Sequence, residues 1–248
     1  MFTLFYGLSA DPVHQGHIDL VTAAVTELDG RGHEVSLVLL VPVYRRNPVG
    51  EHPKYGLPET YEDRVQLAEL AAGVMSKHLA GTGILNCAVT VSRAARELAL
   101  RSGGPNYDLE TLRYVRDRLE PGGELLFLMS AELVSGPNPE FARWHQPVEI
   151  ARLATLAIAP RPGYPPNMDF LGGLTAEGGR FIYLNNVVTK DISSSQIRDR
   201  LMAGADPHAL AGEGLIPASV ADYIARHPGF YRPRPRRSTL RRPAEPGA

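Results

Sequence analysis

The sequence predicts an α/β protein, a Rossmann-like doubly wound parallel sheet with a small helical C-terminal part. Three observations predict it. Near-continuous apolar runs such as Glu34–Val41 (EVSLVLLV) and Glu124–Met129 (ELLFLM) read as strands buried on both faces, as parallel strands are. Stretches with apolar residues at helical spacing alternate with these runs, as βαβ units require. The opening residues, Leu4 to Leu20, pass from strand to loop to helix and carry Gly7, His14 and His17 at the junction.

Taken in order, the first strand is Phe2 to Tyr6, broken at Gly7 into a loop of small and polar residues. An amphipathic pattern resumes at Gly16, and from Ile18 to Leu28 the residues Leu20, Val21, Ala24, Val25 and Leu28 form one helical stripe. Glu34–Val41 is the second strand, so the chain begins β-α-β. Pro42 to Pro58 is too rich in proline and glycine for a regular element and holds Tyr44, Arg45, Arg46, His52 and Lys54. Beyond the carboxyl end of the second strand, it is expected to face the crevice where open α/β sheets bind ligands; a solvated positive loop is the alternative.

Tyr61 to Met75 is an amphipathic helix with Arg64 in its first turns, and Ile84 to Ser92 is a strand. A polar, glycine-rich segment then runs to Asn106. Leu109 to Leu119 is a helix introduced by Asp108 and Glu110, acids suited to a helix start. After the strand Glu124–Met129, Pro137 and Pro139 bracket a turn ahead of Trp144, the only tryptophan. Val148 to Leu153 is helical, and Thr155–Ala159 and Phe181–Leu184 are strands. Ser193, Ser194 and Ser195 open a helix running to about Ala203, and Pro217 starts the last helix. The expected domain covers residues 1–231; residues 232–248, with six arginines and almost no apolar content, are expected to be a disordered tail.

At 248 residues and 44% hydrophobic content the chain can bury a sizeable core. Its formal net charge of −1 gives no global attraction to nucleic acid or acidic membranes, so an anionic partner must be gripped by a local cluster. A single cysteine, Cys87, excludes an internal disulfide and a multi-cysteine metal site. With no charged leader and no apolar run approaching eighteen residues, the chain is expected to be soluble and cytoplasmic, with no membrane partner. Oligomeric state is left open, a homo-oligomer included.

Two helix starts carry the chemistry. Helix amino termini present unpaired N–H groups and roughly half a positive charge. One such start here holds His14 and His17, and the other holds the serine run closed by Arg198. Backbone amides, imidazoles, hydroxyls and a guanidinium together suit the phosphates of a nucleoside triphosphate. Transfer between phosphates needs no activated side-chain nucleophile, only positioning and charge neutralisation with a divalent metal bridging oxygens. A metal pair or a structural pair are the competing readings of the histidines; apart from nearby Asp11 no third ligand is well spaced, and no protein-held metal site is assigned.

Ser9-Ala-Asp-Pro-Val-His14-Gln-Gly-His17 and Ile192-Ser-Ser-Ser-Gln-Ile-Arg198 resemble the two signatures of the nucleotidyltransferase superfamily, most closely those of bacterial nicotinate (nicotinamide) mononucleotide adenylyltransferases. Pro105-Asn-Tyr-Asp-Leu-Glu-Thr-Leu112, Glu124 to Glu132, Trp144 with Ala159-Pro-Arg-Pro-Gly163, and Ile216 to Ile224 extend the resemblance over roughly residues 2–231. It implies transfer of AMP from ATP, with Mg²⁺, to a pyridine mononucleotide, releasing pyrophosphate. It further implies His14, His17 and Arg198 as catalytic residues, and Gly7, Ser9, Gly16, Ser130, Glu132, Ile192, Ser194 and Ser195 around ATP. Trp144 is expected to stack on the pyridine, with Asp108 and Thr111 beside it and Arg45, Arg46 and Lys54 in the substrate loop.

Three departures qualify this. Leu8 and Ala10 stand where the family usually has glycine and phenylalanine, and Ser130-Ala131-Glu132 where it has Gly-Ala-Asp. Asp108 falls where nicotinate-using members usually carry threonine. Two like charges about 4 Å apart cost on the order of 4 kcal/mol at an effective dielectric of about 20, so the nicotinamide form is expected to be preferred; an ordinary helix N-cap is the alternative for Asp108. A same-fold nucleotidyltransferase with another phosphorylated acceptor or nucleotide donor, and a nucleotide-binding regulator without turnover, are the alternative functions.

Overall fold

The computed structural model describes residues 1–44, 60–103, 107–119, 122–187, 192–227 and 229–231. Its strands β1 (Phe2–Leu8), β2 (Val35–Pro42), β3 (Ala88–Val91), β4 (Glu124–Ser130), β5 (Thr155–Ala159) and β6 (Phe181–Tyr183) form one sheet in the order β3-β2-β1-β4-β5-β6. Every neighbouring pair is parallel. The connections run outward in opposite directions from β1 and β4, so the binding crevice of such a sheet lies at the carboxyl ends of those two strands.

The helices are α1 (Gln15–Gly30), α2 (Tyr61–Gly81), α3 (Ala94–Ser102), α4 (Asp108–Arg116), α5 (Pro147–Leu153), α6 (Met168–Ala176), α7 (Ser194–Met202), α8 (Pro207–Gly212) and α9 (Ala218–Arg226). They cover both faces of the sheet. Leu4, Leu8, Leu126 and Leu128 pack with α1, α2 and α7 to α9, whereas Phe5, Leu125, Phe127 and Met129 pack with α3 to α6. Successive strand residues point to opposite faces, so a central strand must be apolar at every position, and this is why β4 reads as an unbroken apolar run.

The structure departs from the sequence expectation in the smaller elements. The segment expected to be polar and irregular before Asn106 contains α3, whose buried stripe is Ala94, Ala95 and Ala99. A stripe of small residues carries little hydrophobic contrast. Helix α6 lies where no element was expected: its sequence MDFLGGLTA contains two consecutive glycines, which disfavour a helix. It is held by buried Leu171 and Leu174 and by Asn167, whose Oδ1 accepts the Phe170 N–H at 2.9 Å. Helix α8 was also unexpected. Strand β3 is shorter than the expected Ile84 to Ser92, with Leu85 78% exposed, and Pro217 caps the last helix instead of occupying its first turn. Arg45, Arg46, Lys54 and the tail at 232–248 lie outside the described residues.

Far from the crevice, the buried Glu27 carboxylate accepts the backbone N–H groups of Asn185 and Asn186 at 2.7 and 2.8 Å and pairs with Arg31. The end of α1 is thus tied to the chain leaving β6, which leads to α7. Among the described residues no helix is long and apolar enough to cross a membrane.

Gly179 is required by close packing. A Cβ there would lie 2.8 Å from both the Ala151 Cβ and the Leu174 carbonyl oxygen. Gly179→Ala is expected to cost about 1–3 kcal/mol by forcing α5 and α6 apart, read from urea denaturation.

Candidate active site

β1 delivers the chain into a loop, Ser9 to His14, that ends at the start of α1. Ala10 sits there in the left-handed region, with φ of 55°, a conformation unfavourable for a residue with a Cβ. The loop is held from outside. Arg64 of α2, 2% exposed, donates through one nitrogen to the carbonyls of Ser9 at 2.8 Å and Val43 at 2.7 Å. Arg198 donates to the Asp11 carbonyl at 2.5 Å, and the Ser194 hydroxyl donates to the Pro12 carbonyl at 3.0 Å. The Asp11 carboxylate, fully buried, accepts the Tyr231 O–H at 3.0 Å and lies 3.8 Å from Arg198. The two helix starts singled out in the sequence therefore meet.

Each serine of the second start has a separate task. Ser193 is the N-cap of α7: its Oγ accepts the Gln196 N–H at 3.2 Å, and the Gln196 side chain accepts the Ser193 N–H at 2.9 Å, a reciprocal capping box. Ser194 reaches the first loop, and Ser195 accepts from Arg198 at 3.0 Å. Ile192 packs against the core on the α1 side of the sheet.

At the first start, His14 is the N-cap of α1 and its ring centroid lies 3.7 Å from that of His17. The His14 backbone N–H points at His17 Nδ1, 3.2 Å away. An Nδ1 that accepts leaves the ring proton on Nε2, which is then a fixed donor. Burial pulls the His17 pKa down to about 4, and burial together with His17 and Arg161 holds His14 well below its ordinary value. Both rings are neutral at pH 7. His14 Nδ1 is buried without a hydrogen-bond partner among the described residues, and Gly16 lies buried in the same first turn.

The facing wall comes from β4, β5 and α4. Ser130 caps the turn after β4, its Oγ accepting the Glu132 N–H at 3.5 Å, and Glu132 pairs with Arg161 beyond β5 at 2.7 Å. Arg161, to which the sequence reading gave no role, thus stands in the crevice near His14. Tyr6 shares this corner; burial, reinforced by Glu132, pushes its phenol pKa up. Asp108 opens α4, with Oδ1 3.8 Å from where a Cβ on Gly7 would stand, so its carboxyl lies over the end of β1. Burial, and secondarily Glu110, raise its pKa to about 6. Trp144 packs edge-on against Phe141 at 5.3 Å, and the adjacent His145 stacks on Tyr107 at 4.3 Å. Thr111 is buried at 1% exposure and its hydroxyl donates back to the Tyr107 carbonyl at 3.4 Å.

A model of the cytidylyltransferase-like family matches residues 5–200. The chain belongs to that family. A probable nicotinate-nucleotide adenylyltransferase of Stenotrophomonas maltophilia (strain K279a) is 30% identical to this cytidylyltransferase-like chain over 246 residues, covering 92% of this chain and 96% of the relative. A probable nicotinate-nucleotide adenylyltransferase of Bordetella petrii (strain ATCC BAA-461 / DSM 12804 / CCUG 43448) is 33% identical over 228 residues, covering 91% and 96%. In fold, the chain is similar to a Plasmodium falciparum nicotinic acid mononucleotide adenylyltransferase complexed with NaAD, with a TM-score of 0.64 over 92% of this chain and 97% of that one, at 14% identity. The family expected from the two motifs is confirmed, and this cytidylyltransferase-like protein is a nucleotidyltransferase by that membership.

Of the contacts missed in the sequence, Arg64 left a signal: it falls on the buried stripe of α2 with Tyr61, Val65 and Ala68. Arg64→Met leaves two part-buried carbonyls without that donor and is expected to cost about 1–3 kcal/mol in denaturant unfolding. The perturbed groups give a pH signature. His17, lowered from 6.5 to about 4, contributes stability that is complete above pH 6.5 and lost as pH falls toward 4. Asp108, raised from 3.8 to about 6, contributes stability that is complete below 3.8 and lost as pH rises through 6. In thermal melts from about pH 4 to 8, His17→Gln is expected to flatten the acid limb and Asp108→Asn to raise Tm at neutral pH.

Proposed function

We propose that this protein transfers AMP from ATP to a pyridine mononucleotide, forming the dinucleotide and pyrophosphate. The observation that carries this reading is the junction of two helix starts through Arg198 with Asp11 and Ser194 with Pro12. It gathers His14, His17, Ser195 and Arg198 around the loop after β1, at the end of the strand where the sheet changes direction. An acceptor phosphate oxygen attacks the α-phosphorus, the bond from that phosphorus to the bridging oxygen breaks, and charge collects on the departing pyrophosphate. The acceptor is already ionised at pH 7, so no general base is required. His17 Nε2–H, His14, Arg198 and the positive ends of α1 and α7 meet the charge where it grows.

The divalent ion in this scheme belongs to ATP, bound as its magnesium complex. Asp11 in the loop after β1 is engaged with Tyr231 and Arg198, and Glu132 with Arg161. Among the described residues no group of three His, Cys, Asp or Glu is placed to hold an ion.

For the acceptor, the relatives' names speak for nicotinate mononucleotide, and they lend no support to the nicotinamide preference expected from Asp108. The half-buried Asp108 carboxyl beside Gly7 is the one observation in favour of an acceptor without a carboxylate. Pyrophosphate release from ATP and Mg²⁺ with each mononucleotide separates the two. A preference of about tenfold or more in kcat/KM for nicotinate mononucleotide upholds the relatives' substrate, the reverse upholds Asp108 as a discriminator, and turnover with neither overturns the pyridine acceptor. His17→Ala is expected to lower kcat by about 100-fold or more; unchanged turnover refutes the assignment of the phosphate site.

A further inference from the structure

Tyr231 takes no part in the chemistry above, yet it is among the most deeply buried large residues, at 2% exposure. Its backbone adopts a φ of 53°, a region tyrosine enters only when its surroundings compel it. Phe230 packs edge-on against its ring at 5.6 Å and against Tyr223 of α9 at 5.6 Å, which anchors the end of the described chain to the last helix. From there the phenol donates to Asp11 Oδ1 at 3.0 Å, across 220 positions of sequence. The other oxygen of that carboxylate lies 3.8 Å from Arg198, whose two terminal nitrogens also serve the Asp11 carbonyl and Ser195.

A buried carboxylate demands donors for its oxygens. Where the phenol satisfies one of them, the guanidinium is shared between Asp11 and whatever anion arrives at α7. Without the phenol, more of that demand falls on Arg198 and draws it back toward the loop. We propose that Tyr231 is a positioning residue of the phosphate site, acting through Asp11 to leave the Arg198 guanidinium available to a bound polyphosphate. The inference rests on the AMP-transfer reading only for the identity of the donor.

The test uses the full chain and two readouts, steady-state kinetics with ATP and the rise in Tm caused by inorganic tripolyphosphate. Tyr231→Phe is expected to raise the KM for ATP about tenfold while kcat stays within about twofold, and to shrink the tripolyphosphate shift. In an Arg198→Met background the same change is expected to add nothing to the tripolyphosphate effect. A Phe variant that melts earlier but keeps the wild-type KM and tripolyphosphate shift shows a merely structural tyrosine and overturns the proposal, as do additive effects of the two substitutions. Should the Phe variant not fold, Asp11→Asn decides: removing the charge that competes for Arg198 is expected to tighten tripolyphosphate binding about threefold or more, and no gain overturns the proposal. Wild-type protein that binds tripolyphosphate but releases no pyrophosphate from ATP refutes the AMP-transfer reading and leaves the tripolyphosphate comparisons to judge Tyr231. Wild-type protein indifferent to tripolyphosphate refutes the phosphate site itself.

Discussion

The loop between β1 and α1 cannot hold its own shape, and much of the site depends on what holds it for it. Ala10 in the left-handed region costs on the order of 1 kcal/mol. That conformation survives because carbonyls on either side of it are tied to distant elements: Ser9 to α2 through Arg64, Asp11 and Pro12 to α7 through Arg198 and Ser194. The next residue along, Gln15, donates its N–H to the Leu215 carbonyl at 2.9 Å, so the segment ahead of α9 joins in. Each tie is a donor spent on the backbone instead of on a ligand. Their combined effect is that the amides opening α1 are oriented before anything binds, which is the condition under which dipoles stabilise a transition state without reorganising.

Under the AMP-transfer reading, the same residues explain how a chain of net charge −1 would hold a polyphosphate. Burial of His14 and partial burial of His17 pull both imidazole pKa values down, and the fixed polarity comes from two helix starts. Neutral donors bind a ground-state polyphosphate less tightly than two imidazolium ions would. They also avoid the mutual repulsion of two charges whose ring centroids are 3.7 Å apart. Under the AMP-transfer reading this is a favourable division: donors that respond to charge act most strongly where charge accumulates, on the leaving pyrophosphate.

What could be read in the sequence follows from what each feature depends on. Strands β1, β2, β4 and β5 were legible because a strand buried on two faces has no polar position to blur it, and α1 because its stripe is made of large residues. Helices α3 and α6 were not, since alanine and glycine positions carry too little contrast for a period to show. In the site, His14, His17 and the serine run were legible as chemistry concentrated at helix starts. The ties that shape the loop were not: Arg64 reaches Ser9 across 55 positions and Tyr231 reaches Asp11 across 220, and no local pattern encodes such pairs. Glu132 shows the limit from the other side. It stands beside the crevice as expected, but as half of a pair with Arg161 whose other half had been given no role.

Asp108 is where local and family-level arguments pull apart, and its surroundings show why both have force. A fixed negative charge at the end of β1 opposes a carboxylate-bearing acceptor, whereas relatives at about the same length are named for that acceptor. Asp108 is not a fixed charge, however. At the first position of α4, partial burial and secondarily Glu110 raise its pKa to about 6. Protonated, a carboxyl is a donor to a carboxylate; ionised, it is an acceptor for an amide N–H. A threonine in its place offers a hydroxyl to either partner and discriminates weakly by charge. Under the AMP-transfer reading, an aspartate there would make the preference depend on whether its proton stays on, and an incoming nicotinate carboxylate would itself favour keeping it there.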